Sequence, residues 1–364
     1  MRIFYDGFIY DYQPYGGINR YFNEIIARLP GDSTPVVSTY LGRRENWPSH
    51  PRLSLLRSKP FGRWPAMESV GKAWMRWRVG ASPRDLVHPT YYQMLTPGGL
   101  RAFRGPVVVT VLDMIHEIFA ESIDRDGQIA RAKAACVERA DAILCISENT
   151  RADLVERFPA VASRCVVTPL ASSMKLDADA LAAAPPVTRP FCVYVGGREN
   201  YKNFAFLLRT WAKFRALRPD VQLHVVGSQW LPAERALLAG LQLEDAVVHR
   251  GQADDTQLAV LYRQSLALVY PSLYEGFGIP PLEAMRCGTA VICAETSSIP
   301  EVCGDAPLYF DPRDEEMLLS RLLAITDSEE VRRACIERGS VRAQLFSWER
   351  TAAQTLEVYR SLVN

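Results

Sequence analysis

Short runs of apolar and β-branched residues alternate with helix-period segments along almost the whole chain, and this alternation confines it to a parallel α/β architecture. In the first half the strand-like runs are Met1–Asp6, Thr34–Leu41, Val107–Leu112, Ala142–Ile146 and Cys165–Thr168. In the second half they are Phe191–Val195, Val221–Val226, Val247–Arg250, Ala267–Tyr270 and Ala290–Cys293. Helical patterns fall between them at Ile18–Leu29, Asn149–Phe158, Phe204–Leu217, Thr256–Gln264 and Pro281–Cys287, with a last one at Trp348–Leu362. A chain of 364 residues is too long for one ordinary core and suggests two domains of similar size. From Leu170 to Pro190 the composition shifts through Ser172-Ser173, an alanine-rich stretch and Pro185-Pro186, which reads as a linker with one helical turn. The expected organisation is a doubly wound domain over 1–170, a linker over 171–190, a second such domain over 191–347, and a helix over 348–364. Each domain then has its own doubly wound parallel sheet, and a ligand binds beyond the strand C-termini, here in an interdomain cleft.

Composition excludes several classes. Hydrophobic residues at 48% and charged residues at 23% suit a soluble globular protein, and a net charge of +1 gives no global case for nucleic-acid binding. The average hides a basic segment: residues 43–104 carry twelve Lys/Arg against Glu45, Glu68 and Asp85, a local net of +9. No apolar run reaches bilayer-spanning length, and Met1-Arg-Ile-Phe-Tyr-Asp6 enters a strand without a signal-peptide layout. The eight cysteines are scattered without a C-x-x-C pair and read as small buried hydrophobes in a reducing cytoplasm. Neither they nor the five histidines cluster at ligand spacing, so no metal site is expected.

Chemistry concentrates at strand ends. Glu275-Gly-Phe-Gly-Ile-Pro-Pro-Leu-Glu283 places two carboxylates eight residues apart around two glycines and two prolines. Glycine permits close backbone approach, and Pro280 and Pro281 suit a first helical turn, so the helix start would aim N–H groups at a phosphate. Glu275 is then expected on the loop and Glu283 in the first turn, both within reach of polyol hydroxyls. Val195-Gly196-Gly197-Arg198, continuing to Lys202-Asn203, puts two cations four residues apart at a strand-to-helix turn, a fork and a point charge suited to a diphosphate. Gly16-Gly17 follows the first strand and opens a helix, without the G-x-G-x-x-G spacing of a dinucleotide site. Asp113 and His116 follow Val107–Leu112, where a histidine can donate to a hydroxyl or move a proton near neutral pH. Ser147-Glu148-Asn149-Thr150 reads as a helix N-cap.

In this order the motifs resemble the retaining glycosyltransferases of the GT-B fold, in the large fourth family of nucleotide-sugar-dependent enzymes. The resemblance is carried by Gly16-Gly17, Asp113 with His116, Ser147-Glu148, Gly196-Gly197-Arg198 through Lys202-Asn203, and the Glu275 to Glu283 loop. Gly288-Thr-Ala-Val291 and Ser298-Ile-Pro-Glu301 add to it, and the match covers nearly the whole chain. It implies a Rossmann-like N-terminal acceptor domain, a Rossmann-like C-terminal nucleotide-sugar domain, and a 348–364 helix that packs back toward the first. Arg198 and Lys202 would hold the donor diphosphate in place of the metal that other glycosyltransferases use. Glu283 would take the ribose hydroxyls and Glu275 the donor sugar, and the amides of Gly16, Gly17, Gly278 and Ile279 would complete the phosphate cradle. The base is expected near Arg250-Gly251.

One position departs from the pattern. Many relatives carry His-Asp where this chain has Leu112-Asp113, so either His116 fills that role or donor recognition differs. Trp64, Met67, Trp74 and Trp77 interleave with Arg63, Lys72, Arg76 and Arg78, resembling an amphipathic helix lying on an anionic membrane surface; the alternative is a helix packed on its own domain. The resulting expectation is a cytoplasmic hexosyltransferase at the inner face of the membrane, using a GDP-sugar (mannose first) rather than a UDP-sugar. It would need no further cofactor and would act on a lipid-linked or oligosaccharide acceptor in bacterial surface polysaccharide synthesis. A nucleotide-sugar epimerase and a non-catalytic nucleotide-sugar-binding protein are the alternatives.

Overall fold

The buried apolar runs become parallel strands in the computed structural model, which describes residues 1–13, 16–40, 46–57, 70, 73–74, 77 and 84–363. The chain divides into two units, Met1–Leu170 with Trp348–Asn364, and Ala171–Ser347. The first unit contains β1 (Arg2–Tyr5), β2 (Thr34–Thr39), β3 (Ser54–Arg57), β4 (Leu86–Val87), β5 (Val108–Val111), β6 (Ala142–Cys145) and β7 (Cys165–Val167). They form sheets of order β3-β2-β1-β4 and β5-β6-β7, joined by a single parallel bridge between Val87 and Val107. The second unit contains β8 (Phe191–Val195), β9 (Gln222–Val226), β10 (Val247–Gly251), β11 (Ala267–Tyr270), β12 (Ala290–Ala294) and β13 (Leu308–Phe310). Its sheet runs β10-β9-β8-β11-β12-β13, every pairing parallel, which is the doubly wound order.

Three strands have no counterpart in the sequence reading. Ser54–Arg57 buries only Leu56, Leu86–Val87 spans two residues, and Leu308–Phe310 spans three, so none carries a readable period. In the second unit the helix Phe204–Leu217 lays Phe204, Leu207, Trp211 and Phe214 on the sheet at helical spacing, against Leu223 and Val225. The segment between the last strand of the first unit and β8 holds one short helix, Ala178–Ala183, capped by Asp177.

Within the first unit the terminal helix Trp348–Val363 is anchored by a buried polar chain. The Tyr359 hydroxyl lies 2.6 Å from His88 Nδ1 and 3.2 Å from the Tyr5 hydroxyl, while His88 Nε2 lies 2.8 Å from Thr110 Oγ1. Tyr21 reaches the same threonine at 3.1 Å. All ring nitrogens and hydroxyls of this chain are thereby used, which is the condition for burying them at little cost. At the surface Arg28 pairs with Glu349 at 3.0 Å, and the buried Thr351 hydroxyl donates to the Pro169 carbonyl at 2.6 Å.

Burial pushes the His88 pKa from 6.5 down to about 3. Between those values the unfolded chain takes up a proton that the folded chain refuses, so stability should fall as pH drops through that window. His88→Asn should flatten the slope, and Tyr359→Phe should cost about 1–2 kcal/mol at neutral pH. Denaturant titrations between pH 7 and pH 4 check both; an unchanged slope in His88→Asn would contradict the assignment.

Candidate active site

In the second unit the sheet reverses its winding between β8 and β11, which are hydrogen-bonded neighbours although two strands separate them in sequence. The loops leaving these two strands therefore open on opposite sides and leave room for a ligand at the sheet edge. Lys202 from the β8 loop and Glu275 from the β11 loop meet there. Lys202 Nζ donates to both carboxylate oxygens of Glu275, at 2.8 and 3.0 Å, with side chains only 17% and 11% exposed. The rings of Tyr201 and Tyr270 lie 5.0 and 5.8 Å from the ammonium. Burial works against the Lys202 charge, but Glu275 and then Tyr201 outweigh it and hold the pKa above its ordinary value. The two loops are pinned by Leu273 N–H donating to Tyr201 O at 2.7 Å.

Arg198 leaves the same strand end and is held differently. Its Nε and Nη2 donate to the two oxygens of Glu234 at 2.6 and 3.1 Å, and Nη2 also reaches the carbonyls of Ser228 and Gln229. The guanidinium lies over Trp230 at 4.8 Å, its side chain is 5% exposed, and Nη1 is buried without a partner. Gly227 lets this packing happen: a Cβ there would fall 2.6 Å from Gly196 O and 3.2 Å from Arg198 Nη1.

The helix after Glu275 begins at Ile279, two residues earlier than the sequence period suggested. Glu283 is consequently its fifth residue, in the second turn rather than the first, and is buried with Tyr262 donating to Oε2 at 3.3 Å. Pro280 and Pro281 have no N–H, so the amides at this helix start are those of Gly278 and Ile279. Gly278 has φ +105°, and a Cβ would meet Ile299 Cδ1 at 2.7 Å, so only glycine fits the turn.

Arg250 stands apart from the Arg198 niche. Its guanidinium sits against His224, which stacks on Phe191 at 3.9 Å, and it lines a pocket of about 580 Å³ with Gln222, Thr256 and the 180–189 segment. The neighbouring His249 instead packs on Trp230 at 5.0 Å, beside Arg198. Successive strand residues face opposite sides, so the side chain beside the Arg198 niche is His249 and not Arg250. Burial, and then the Arg250 charge, bring the His224 pKa to about 3.

In the first unit Asp113 follows β5 and His116 lies in the short helix Ile115–Ile118 after it, both near Lys133. This fully buried lysine donates to Asp113 O and to Glu117 Oε2, both at 2.8 Å, lies 4.0 Å from Asp113 Oδ1, and faces the Tyr92 ring at 5.2 Å. The half-buried His116 has a buried Nδ1 without a partner; burial and then the Lys133 charge lower its pKa. Leu112 presents its N–H to the Tyr92 hydroxyl at 3.3 Å. Gly16 and Gly17 open the helix Gly17–Ala27, and Ser147 caps the helix Glu148–Arg157 by accepting from Thr150 N–H at 3.0 Å. Tyr15 lies outside the described residues. Among the described residues no His, Cys, Asp and Glu side chains group to hold a metal ion.

Residues 15–171 match Glycosyltransferase Family 4, and residues 180–342 match Glycosyl transferases group 1. The chain belongs to this glycosyltransferase family. It is 31% identical over 254 residues, 66% of its length, to O-antigen chain mannosyltransferase B of Escherichia coli, and 30% identical over 227 residues, 61% of its length, to the MMP alpha-(1->4)-mannosyltransferase of Mycolicibacterium hassiacum. The chain spans 65% and 54% of the length of these relatives. The structure of Anabaena Alr3699/HepE in complex with UDP and glucose aligns over 99% of both chains at a TM-score of 0.77 and 16% identity, a likeness of fold. The fold class is thus GT-B, with two Rossmann-like α/β units.

Two residues that hold these clusters, Lys133 and Glu234, were not singled out from the sequence. Lys133 left a signal, since it falls on the apolar stripe of Ile129, Cys136 and Val137. Glu234 left none, being 36 residues from Arg198 in an ordinary helix start. Glu234→Ala strips a buried guanidinium of its carboxylate and should destabilise the protein by about 3 kcal/mol, with Glu234→Gln costing less. Urea denaturation of the two variants checks this, and equal midpoints with wild type would contradict it.

Proposed function

We propose that this family member is a retaining glycosyltransferase that moves a hexose from a nucleoside diphosphate donor to a glycan acceptor. The observation that carries the reading is the Lys202–Glu275 pair at the reversal of the second sheet, a cation and a carboxylate held together where such sheets take ligands. Lys202, joined by Arg198, neutralises the departing diphosphate, while Gly278 and Ile279 supply amides to it. Glu275 holds the sugar and Glu283 the ribose. In the reaction the bond from the sugar C1 to the diphosphate oxygen breaks and a bond from C1 to the acceptor oxygen forms on the same face. The acceptor proton passes to the leaving diphosphate, so the protein contributes electrostatic stabilisation and placement and no nucleophile.

The names of the relatives, both mannosyltransferases and one an O-antigen chain enzyme, support mannose as the sugar and bacterial surface polysaccharide as the product. A GDP-sugar is the first choice of donor, although the HepE complex contains UDP. The acceptor is assigned as a lipid-linked or oligosaccharide glycan, with the protein in the cytoplasm against the membrane. No helix among the described residues is long and apolar enough to cross a membrane. Residues 43–45, 58–69, 71–72, 75–76 and 78–83 of the basic segment, Trp64 and Met67 among them, lie outside the described residues; Trp77 is 65% exposed, whereas Trp74 packs on the core of the first unit. Peripheral contact through this segment is therefore assigned to Trp77 rather than to Trp74.

Thermal-shift titration with GDP-, UDP-, ADP- and dTDP-sugars identifies the donor by the shift that binding produces. With that donor, Lys202→Ala and Glu275→Ala should each lower transfer at least about 100-fold with an unchanged circular-dichroism spectrum. Near wild-type turnover in either variant would contradict the site, and donor conversion without acceptor would indicate an epimerase. Trp77→Glu should reduce flotation with anionic liposomes; unchanged flotation removes the membrane contact.

A further inference from the structure

Lys202 and Glu275 are each other's partners in the ligand-free protein, and this has a consequence for what the site prefers to bind. Glu275 cannot withdraw with its loop. Its N–H donates to Ser297 Oγ at 2.8 Å, and its carbonyl accepts from Ser298 Oγ at 2.9 Å. The flanking backbone is strained into place: Asn203 and Ser297, with φ of +58° and +47°, are two of three non-glycine residues with positive φ among those described. Asn203 Nδ2 is further tied to the Pro312 carbonyl at 2.9 Å. Only the Glu275 side chain is left to move.

A phosphate that takes Lys202 must therefore leave a buried carboxylate behind, close to a new anion. A sugar-bearing donor compensates, because its hydroxyls donate to Glu275 while its phosphate accepts from Lys202. A bare nucleoside diphosphate compensates only one side. Resting on the donor site proposed above, we infer that the Lys202–Glu275 pair is an exchange latch that favours sugar-bearing donor over spent nucleoside diphosphate. Once the sugar is transferred, Glu275 loses its hydroxyl partners, recaptures Lys202 and displaces the diphosphate. The same residue that places the sugar thus also promotes product release.

The test is the ratio of two affinities, measured by calorimetry without acceptor, for GDP against GDP-mannose and for UDP against UDP-glucose. Wild type should prefer the sugar-bearing form of the pair that it binds. Glu275→Gln, which keeps the shape but removes the charge, should bind the bare diphosphate about tenfold tighter and lose most of the preference. Glu275→Asp, which keeps the charge, should retain it. A general gain of positive potential would tighten both forms equally and leave the ratio unchanged, and that result overturns the latch. So does a Glu275→Gln protein that binds the bare diphosphate no better than wild type. Wild type that binds none of the four compounds overturns the donor site itself, and with it the latch.

Discussion

A buried carboxylate needs a cation, and in the second unit Glu275 finds it in Lys202 at the one place where the sheet reverses its winding. The rest of the unit is arranged around that contact. The Leu273–Tyr201 hydrogen bond joins the two loops, Ser297 and Ser298 hold Glu275 from the turn after β12, and Gly278 turns the chain sharply into the helix that carries Glu283. Because the pair is nearly dry, its attraction is barely screened by salt and its disruption is costly unless a ligand replaces both partners.

The second cation repeats the theme with a different outcome. Arg198 is satisfied by Glu234 and two carbonyls under an aromatic lid, with one buried nitrogen left over. Both cations read from the sequence as diphosphate holders are thus paired with carboxylates before any donor arrives. On the donor site proposed here, diphosphate binding would be an exchange of partners rather than the filling of an open positive pocket. In the first unit, Lys133 is likewise locked by Glu117 and the Asp113 carbonyl, which fixes the strand end where Leu112 stands.

What could be read from the sequence follows from burial. Central parallel strands such as Ala267–Tyr270 and Ala290–Ala294 are covered on both faces and show as unbroken apolar runs, so both were legible. Edge or very short strands such as Ser54–Arg57 and Leu308–Phe310 have no such signature. The parallel order also placed the Arg198–Lys202 turn and the Glu275 loop at one sheet edge. It said nothing of side-chain partners: Glu234 emerges only from the fold, and a single-residue alternation put His249, not Arg250, beside Trp230. The helix start at Ile279 was misplaced because two prolines fit equally well at several positions of a first turn.

The central claim, that Lys202 and Glu275 part to receive the two ends of a sugar nucleotide, is tested most directly by a crystal structure with intact donor bound. The account predicts Lys202 Nζ at about 3 Å from a phosphate oxygen and the Glu275 carboxylate at hydrogen-bond distance from sugar hydroxyls. Donor bound with the Lys202–Glu275 bonds still in place would contradict it.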